Sequence, residues 1–284
     1  MDKNKSHDLK LGLALGGGSA LGFAHLGVLK AFEENNIPID FISGTSVGAV
    51  IGALYAFGIS FKDIEQESEK LDWKSLLKIK PSSMGMASSF AIRGILEKHI
   101  GKNADIADAI IPLAIVTTDI ETGSKVVFRS GNVVDAVLAS SCLPGLFSPI
   151  EMEGLMLVDG GIVENVPISP LKDSGAEIIV GVNLLKYRKY EKPKNVIGVL
   201  ANSFDMINHR ISSQPKQNDV DILIEPNLSD YLMGDIKKWK EISAQGYLET
   251  LKQITKIKEL QHQTVYEDFW KKIKNLFFNK KSKD

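Results

Sequence analysis

Residues 39–58 read IDFISGTSVGAVIGALYAFG, and the fold follows from the way this stretch changes character at its middle. A short apolar run, Asp40-Phe41-Ile42-Ser43, breaks into Gly44-Thr45-Ser46-Val47-Gly48. Beyond the break, small and apolar residues recur at helical spacing, and Gly48, Ala49, Gly52, Ala53 and Ala56 keep that helix thin. A strand, a sharp corner and a thin helix together predict a G-x-S-x-G elbow, which lifts a serine to the top of an α/β sheet. Gly44 and Gly48 fit this geometry, because side chains two positions either side of the corner would collide. The Ser46 hydroxyl would then stand at a helix N-terminus, where backbone N–H groups and the helix dipole favour developing negative charge. A Gly-bounded turn with no chemistry carries the same short pattern, so the rest of the chain has to decide.

Outward from the elbow, strand and helix patterns alternate. Residues 10–15 (KLGLAL) read as a first strand, residues 16–22 as a glycine-rich loop, and residues 23–34 as a helix. Residues 111–118 and 177–184 are continuous apolar runs of the kind that suits strands buried on both faces. Residues 125–128 would close a hairpin, and residues 155–158 form a brief strand ending at Asp159-Gly160-Gly161. Helices are expected near residues 61–77, 92–100, 133–139 and 196–210, with a further strand near 221–225. The fold class expected is therefore α/β, with a mainly parallel central sheet flanked by helices and a helical C-terminal extension. The organisation expected is a polar tail at residues 1–9, an α/β domain at 10–228, a helical part packed on it at 229–265, and a basic amphipathic tail at 266–284.

At 284 residues, 44% hydrophobic and 24% charged, the chain has the composition of a globular protein. A net charge of −1 provides no whole-chain field for nucleic acid, and no nucleic-acid partner is expected. The single cysteine, Cys142, excludes an intrachain disulfide framework and fits a reducing compartment. The uncharged run at residues 11–24 superficially resembles a signal-peptide core, but five of its fourteen residues are glycine. No stretch reaches the length of a transmembrane helix. A soluble, cytoplasmic protein is expected.

A serine nucleophile needs a base and donors for an oxyanion. Gly16-Gly17-Gly18 can turn backbone N–H groups outward, and in a parallel sheet the end of the first strand faces the end of the next. A dinucleotide-binding turn is the competing reading. Its final glycine would come one residue late at Gly22, and no acidic residue ends the second strand, so no cofactor is expected. Five histidines are present: His7, His25, His99, His209 and His262. None sits in a turn motif, although His209 would satisfy a Ser…Asp…His order, and His25 reads as a packed helix residue. Asp159 follows a short strand and precedes two glycines, so its carboxylate can reach into a cleft. Structural aspartates before Gly-Gly are also common in turns, and on this feature alone the two readings stand level.

The glycine loop, the elbow and the Asp159-Gly160-Gly161 triplet, with PLAIVTTDIETG, ASSCLPGLFSPI and ENVP between and after them, resemble the patatin-like phospholipases, especially compact bacterial members. The resemblance covers residues 11–184, with weaker likeness beyond. It implies a three-layer α/β/α fold and hydrolysis of lipid acyl esters by a Ser–Asp dyad without histidine, as in a phospholipase A or lysophospholipase. By position, Ser46 would be the nucleophile and Asp159 the base. The N–H groups of Gly17 and Gly18, with Gly16 shaping the turn, would form the oxyanion hole. Gly44 and Gly48 would be the elbow glycines, and Gly160 and Gly161 would support the aspartate. The family's loop usually carries Arg or Lys before its final glycine, where this chain has Leu21. No metal is required, and the sequence lacks His-Glu-x-x-His, an EF-hand loop and any Cys/His cluster. A non-hydrolytic membrane-binding or regulatory protein on the same fold is the alternative, and a His209-dependent esterase ranks behind both.

Two further segments invite a lipid-related reading. Met84, Met86 and Phe90 could line an acyl channel or lid, or simply pack. Phe269, Trp270, Ile273, Leu276 and Phe277 recur at helical spacing beside Lys271, Lys272, Lys274, Lys280, Lys281 and Lys283. That pattern fits an interfacial helix making peripheral contact with an anionic inner membrane surface, and equally a terminal helix docked on the domain. Cys142 reads as a packed small residue.

Overall fold

The computed structural model describes residues 9–70, 78–79, 87–88, 90–190, 192–194, 196–212 and 219–261. The apolar runs become strands: β1 (Leu11–Leu15), β2 (Phe41–Thr45), β5 (Leu113–Asp119), β6 (Lys125–Phe128), β7 (Ile150–Met152), β8 (Leu155–Asp159), β9 (Ile178–Val182) and β10 (Ile222–Ile224). They form one eight-stranded sheet in the order β10-β9-β1-β2-β5-β8-β7, with β6 also on β5. The short strands β3 (Lys78–Ile79) and β4 (Ala87–Ser88) pair separately.

The first five strands of that order run parallel, which is why every residue of β1, β5 and β9 is buried. Strand alternation then divides the core. Leu11, Leu13 and Leu15 of β1, with Val180 and Val182 of β9, face the larger cluster under α1 (Ala24–Glu34), α2 (Val47–Ala56), α3 (Phe61–Glu69) and α5 (Val133–Ser140). Ala14 and Ile179 face a smaller cluster with Val166, Ile168 and Leu171, capped by α6 (Ser169–Asp173). The remaining helices are α4 (Phe90–His99), α7 (Val196–Ser212) and α8 (Trp239–Leu251). The sheet is thus sandwiched between helices, the α/β architecture that the sequence implies.

The structure adds strands that the pattern did not reveal: the short β3 and β4, and β7 at the edge of the main sheet. Residues 150–152 pair with β8, and β8 runs antiparallel to β5, so the distal part of the sheet is mixed. The helix expected at 61–77 ends at Glu69 with Lys70 as its C-cap, and residues 71–77 lie outside the described residues. So do Met84, Met86 and the tail 266–284, while of Phe90 only its backbone place at the start of α4 is described. Among the described residues no helix is long and apolar enough to cross a membrane.

Helix α8 is fastened to α1 by backbone contact. A Cβ on Gly27 of α1 would lie 1.9 Å from the Ser243 carbonyl oxygen of α8, and one on Gly246 would lie 2.0 Å from that of Ala24. Only glycine permits so close a crossing. Gly246→Ala is expected to destabilise the fold by about 1–3 kcal/mol through overpacking, read as a lowered midpoint in thermal unfolding.

Candidate active site

Strand β5 brings the site together, because it has only two edges and three strands use them. On one edge β6 pairs along Ile115 to Thr118. The other edge is shared. β2 occupies it as far as Thr45, opposite Val116, and β8 takes over at the next position, with Asp159 opposite Thr117. β2 is parallel to β5 and β8 is antiparallel, so the C-terminal ends of β2 and β8 meet head to head. Ser46 leaves the sheet where Asp159 arrives.

Ser46 takes φ 55° and ψ −127°, a conformation that non-glycine residues rarely adopt. Such a corner costs on the order of 1–3 kcal/mol and is held only by its surroundings. Two restraints are visible. The Ser46 N–H donates to Ser140 Oγ at 2.9 Å, and the Ser140 hydroxyl donates to the Val116 carbonyl at 2.7 Å. A Cβ on Gly48 would meet the Leu15 carbonyl oxygen at 2.0 Å, so α2 begins in backbone contact with the end of β1. Gly44 is similarly tight, because a Cβ there would lie 2.5 Å from Ala49 Cα. Ser46 is the N-cap of α2, and its side chain takes no hydrogen bond from the first turn, so its hydroxyl stands free of capping at the positive end of the helix.

Asp159 is fully buried. Its backbone is fixed on both sides: its N–H donates to Cys142 O at 2.9 Å, and its carbonyl accepts from Thr118 Oγ1 at 2.9 Å. Oδ1 accepts from the Gly161 N–H at 2.8 Å. Oδ2 is buried without a well-formed hydrogen bond among the described residues. Burial pushes the carboxyl up to about 7, a rise that interaction with the Ser46 hydroxyl and the Gly161 N–H moderates and the charge of Asp205 reinforces. Gly160 is forced, since a Cβ there would lie 2.2 Å from Val116 O.

Gly16, Gly17 and Gly18 follow β1 and are buried beside the elbow. A Cβ on Gly17 would stand 3.1 Å from Ser46 Cβ. The Gly16 N–H donates to Val182 O and the Gly17 N–H to Asn165 O, each at 3.2 Å. The Gly18 N–H has no partner among the described residues. Residues 164–167, the ENVP segment, run back across the strand ends as a strap. Besides Asn165 O, Glu164 O accepts from Thr45 Oγ1 at 3.0 Å, and Pro167 O accepts from Ser43 Oγ.

His25 plays a part that the sequence did not suggest. It is wholly buried, and its Nε2–H donates to Gly16 O at 2.8 Å, tethering the glycine loop to α1. Desolvation pushes it down to about 4, against the pull of that hydrogen bond, so at neutral pH it is an uncharged tether. His209 Nδ1 is hydrogen-bonded to Tyr190 OH at 3.1 Å. Cys142 donates its thiol proton to Ser148 O at 3.0 Å, and burial together with the nearby Asp159 charge pushes it up to about 12. It is a packed thiol. Leu21 is fully buried in the main core.

Sequence reasoning brought Ser46, Asp159 and the three loop glycines to one place but missed Ser140 and the strap. Ser140 sits in a serine pair before a breaker, and nothing in its pattern marks a residue that holds another's backbone. Ser140→Ala would orphan the Ser46 N–H and leave the Val116 carbonyl short of a donor. It is expected to destabilise the protein by about 1–3 kcal/mol in denaturant unfolding.

The model of the family described as patatin-like phospholipase matches residues 13–172, more than half of the chain and all three motifs. Lysophospholipase NTE1 of Pyricularia oryzae is 36% identical over 182 residues, which cover 61% of this chain and 12% of that protein. An uncharacterized NTE family protein of Mycobacterium tuberculosis is 33% identical over 177 residues, 62% of this chain and 49% of its own. The chain thus spans half or less of the length of either relative. VipD from Legionella pneumophila has a similar fold, with a TM-score of 0.57 at 16% identity over 88% of this chain and 67% of its own. With the elbow, the glycine loop and the Asp-Gly-Gly turn gathered within the matched span, the chain belongs to the patatin-like phospholipase family.

Proposed function

We propose that this protein hydrolyses acyl ester bonds of lipids, as a phospholipase A or lysophospholipase, with Ser46 as nucleophile and Asp159 as base. The observation that carries the reading is the head-to-head meeting of β2 and β8. It sets a serine with a strained backbone at a helix N-terminus beside a fully buried carboxyl shifted to about 7. The family membership and the lysophospholipase named among its relatives support it.

In the proposed sequence, Ser46 Oγ attacks the ester carbonyl carbon while its proton passes to Asp159. The carbonyl oxygen becomes an oxyanion, which the Gly18 N–H and the N–H groups at the start of α2 are positioned to receive. The Gly17 N–H joins them by exchanging its bond to Asn165 O. Collapse expels the lipid alcohol, which takes the proton from Asp159 and leaves an acyl-enzyme at Ser46. Water then attacks, delivering its proton to Asp159, and the fatty acid departs as Ser46 recovers its proton. A carboxylate is a weak base toward a serine hydroxyl. Desolvation narrows that gap by raising its pKa, and the preorganised donors supply much of the remaining stabilisation.

A non-hydrolytic protein on this fold finds no support in Leu21, whose burial in the core accounts for its apolar character. The same reading divides the chain into a catalytic unit at residues 10–228, a helical part at 229–265 that packs on it, and a tail at 266–284.

Three measurements test this reading. Ser46→Ala is expected to abolish both fluorophosphonate labelling and the release of fatty acid from lysophospholipid seen by mass spectrometry. An unlabelled wild-type serine would refute the proposal. Turnover should rise with pH as Asp159 ionises near 7. Stability should move the other way. Between about pH 4 and 7 the unfolded chain has lost a proton that folded Asp159 keeps, so wild-type stability falls as pH rises through this window. Asp159→Asn is therefore expected to be inactive yet more stable than wild type at pH 8, by up to about 4 kcal/mol, with the gain vanishing near pH 4.

A further inference from the structure

Helix α7 is amphipathic in the reverse sense. Val196, Val199, Leu200, Met206 and Ile207 are between 43% and 72% exposed. At the helical period, these five fall with Ser203 and Arg210 within an arc of about 120°. The opposite face is turned inward, and it carries polar groups beside the half-buried Phe204 and Ile211. Asp205 and Asn208 are buried there, and Asp205 pairs with the nearly buried Arg188 at 3.3 Å. Asn208 packs so tightly on the Asp-Gly-Gly turn that a Cβ on Gly161 would lie 2.7 Å from its Nδ2. The helix therefore roofs the buried Asp159 with polar groups and shows its apolar stripe to the outside. Among the described residues, half of the large apolar side chains that stand exposed belong to this one helix.

The rim of the stripe is cationic. The loop entering α7 carries Lys189, Lys192 and Lys194, all exposed, together with a half-exposed Tyr187. Lys192 and Lys194 make no ion pair among the described residues, and Lys189 has only a solvent-exposed pair with Asp230 at 3.6 Å, a kind worth little. Arg210 stands exposed at the far end. The acidic residue of α7 itself, Asp205, points inward. An apolar stripe with a basic rim and a flanking tyrosine matches the chemistry of an anionic lipid surface, apolar below the headgroups and negative at them.

We infer that the outer face of α7, with the Lys189, Lys192 and Lys194 loop, is the surface by which this protein docks on anionic lipid, placing the roof of the site against the bilayer. The choice of lipid rests on the hydrolase reading, but docking is measured without turnover. It also differs from the sequence-based expectation, which put membrane contact in the tail at 266–284.

The test is co-sedimentation of the full chain with vesicles of phosphatidylglycerol and phosphatidylcholine in equal parts, and with phosphatidylcholine alone. All forms carry Ser46→Ala so that no product accumulates. Wild-type surfaces should prefer the anionic vesicles. V199Q/M206Q/I207Q should weaken that partition by about tenfold or more, and K192Q/K194Q by several-fold with a smaller salt dependence. Met206→Gln alone, at an exposed position, should weaken it about threefold, which keeps the test open should the triple variant fold poorly. With Ser46 intact, hydrolysis of the soluble ester p-nitrophenyl butyrate should be unchanged by the α7 substitutions. If no form cleaves that ester, the hydrolase reading fails by itself and the vesicle comparison still decides the docking surface. The inference is overturned if wild type binds neither vesicle, or if the α7 variants bind like wild type. It also falls if F269Q/W270Q/I273Q abolishes binding while the α7 variants keep it, or if the stripe proves to hold two copies of the chain together in solution.

Discussion

One edge of β5 governs the site. A strand offers each edge once, and here β2 gives up its place at Val116 so that β8 can begin at Thr117. The exchange requires opposite strand directions, since only then do two C-terminal ends converge. Around that junction the other features take their places. Ser140 reaches from α5 to the Ser46 N–H, Thr118 holds the Asp159 carbonyl, and the strap at residues 164–167 crosses the ends of β1 and β2. The glycines at 44, 48 and 160 are the positions where backbones meet so closely that no side chain fits.

The same junction sets stability against chemistry. Asp159 is buried where its charged form is disfavoured, and Ser46 holds a backbone conformation that most residues avoid. Both are local costs that the rigid sheet absorbs. In the proposed mechanism the cost on Asp159 is useful, because a desolvated carboxylate is a stronger base than one in water. The neutral His25 fixes the Gly16 carbonyl without adding a charge to the glycine loop.

Helix α7 extends this economy of charge outward. Asp205 and Asn208 on its inner face meet the site, where Asp205 is compensated by Arg188, and its exposed apolar stripe is left to the exterior. A soluble helix ordinarily does the opposite. For an enzyme whose proposed substrate is part of a lipid aggregate, the arrangement puts the Asp159 carboxyl beneath the face best suited to meet that aggregate.

Local pattern sufficed for much of this protein. Continuous apolar runs fixed the parallel strands, the change from strand to small-residue helix fixed the elbow, and the glycine loop and Asp159 carried the family likeness. Each rests on interactions between residues close in the chain, or on a periodicity that burial imposes directly. The tertiary structure alone decided the rest. That β8 enters antiparallel on the edge β2 leaves depends on two registers with β5, Thr45 opposite Val116 and Asp159 opposite Thr117, between segments far apart in the chain. That Ser140 and His25 hold backbone groups of the site depends on which atoms the packing brings within reach. The apolar stripe of α7 was present in the sequence, but periodicity gives a helix two faces without saying which one turns inward. Only its neighbours, Gly161 and Arg188, settle that direction.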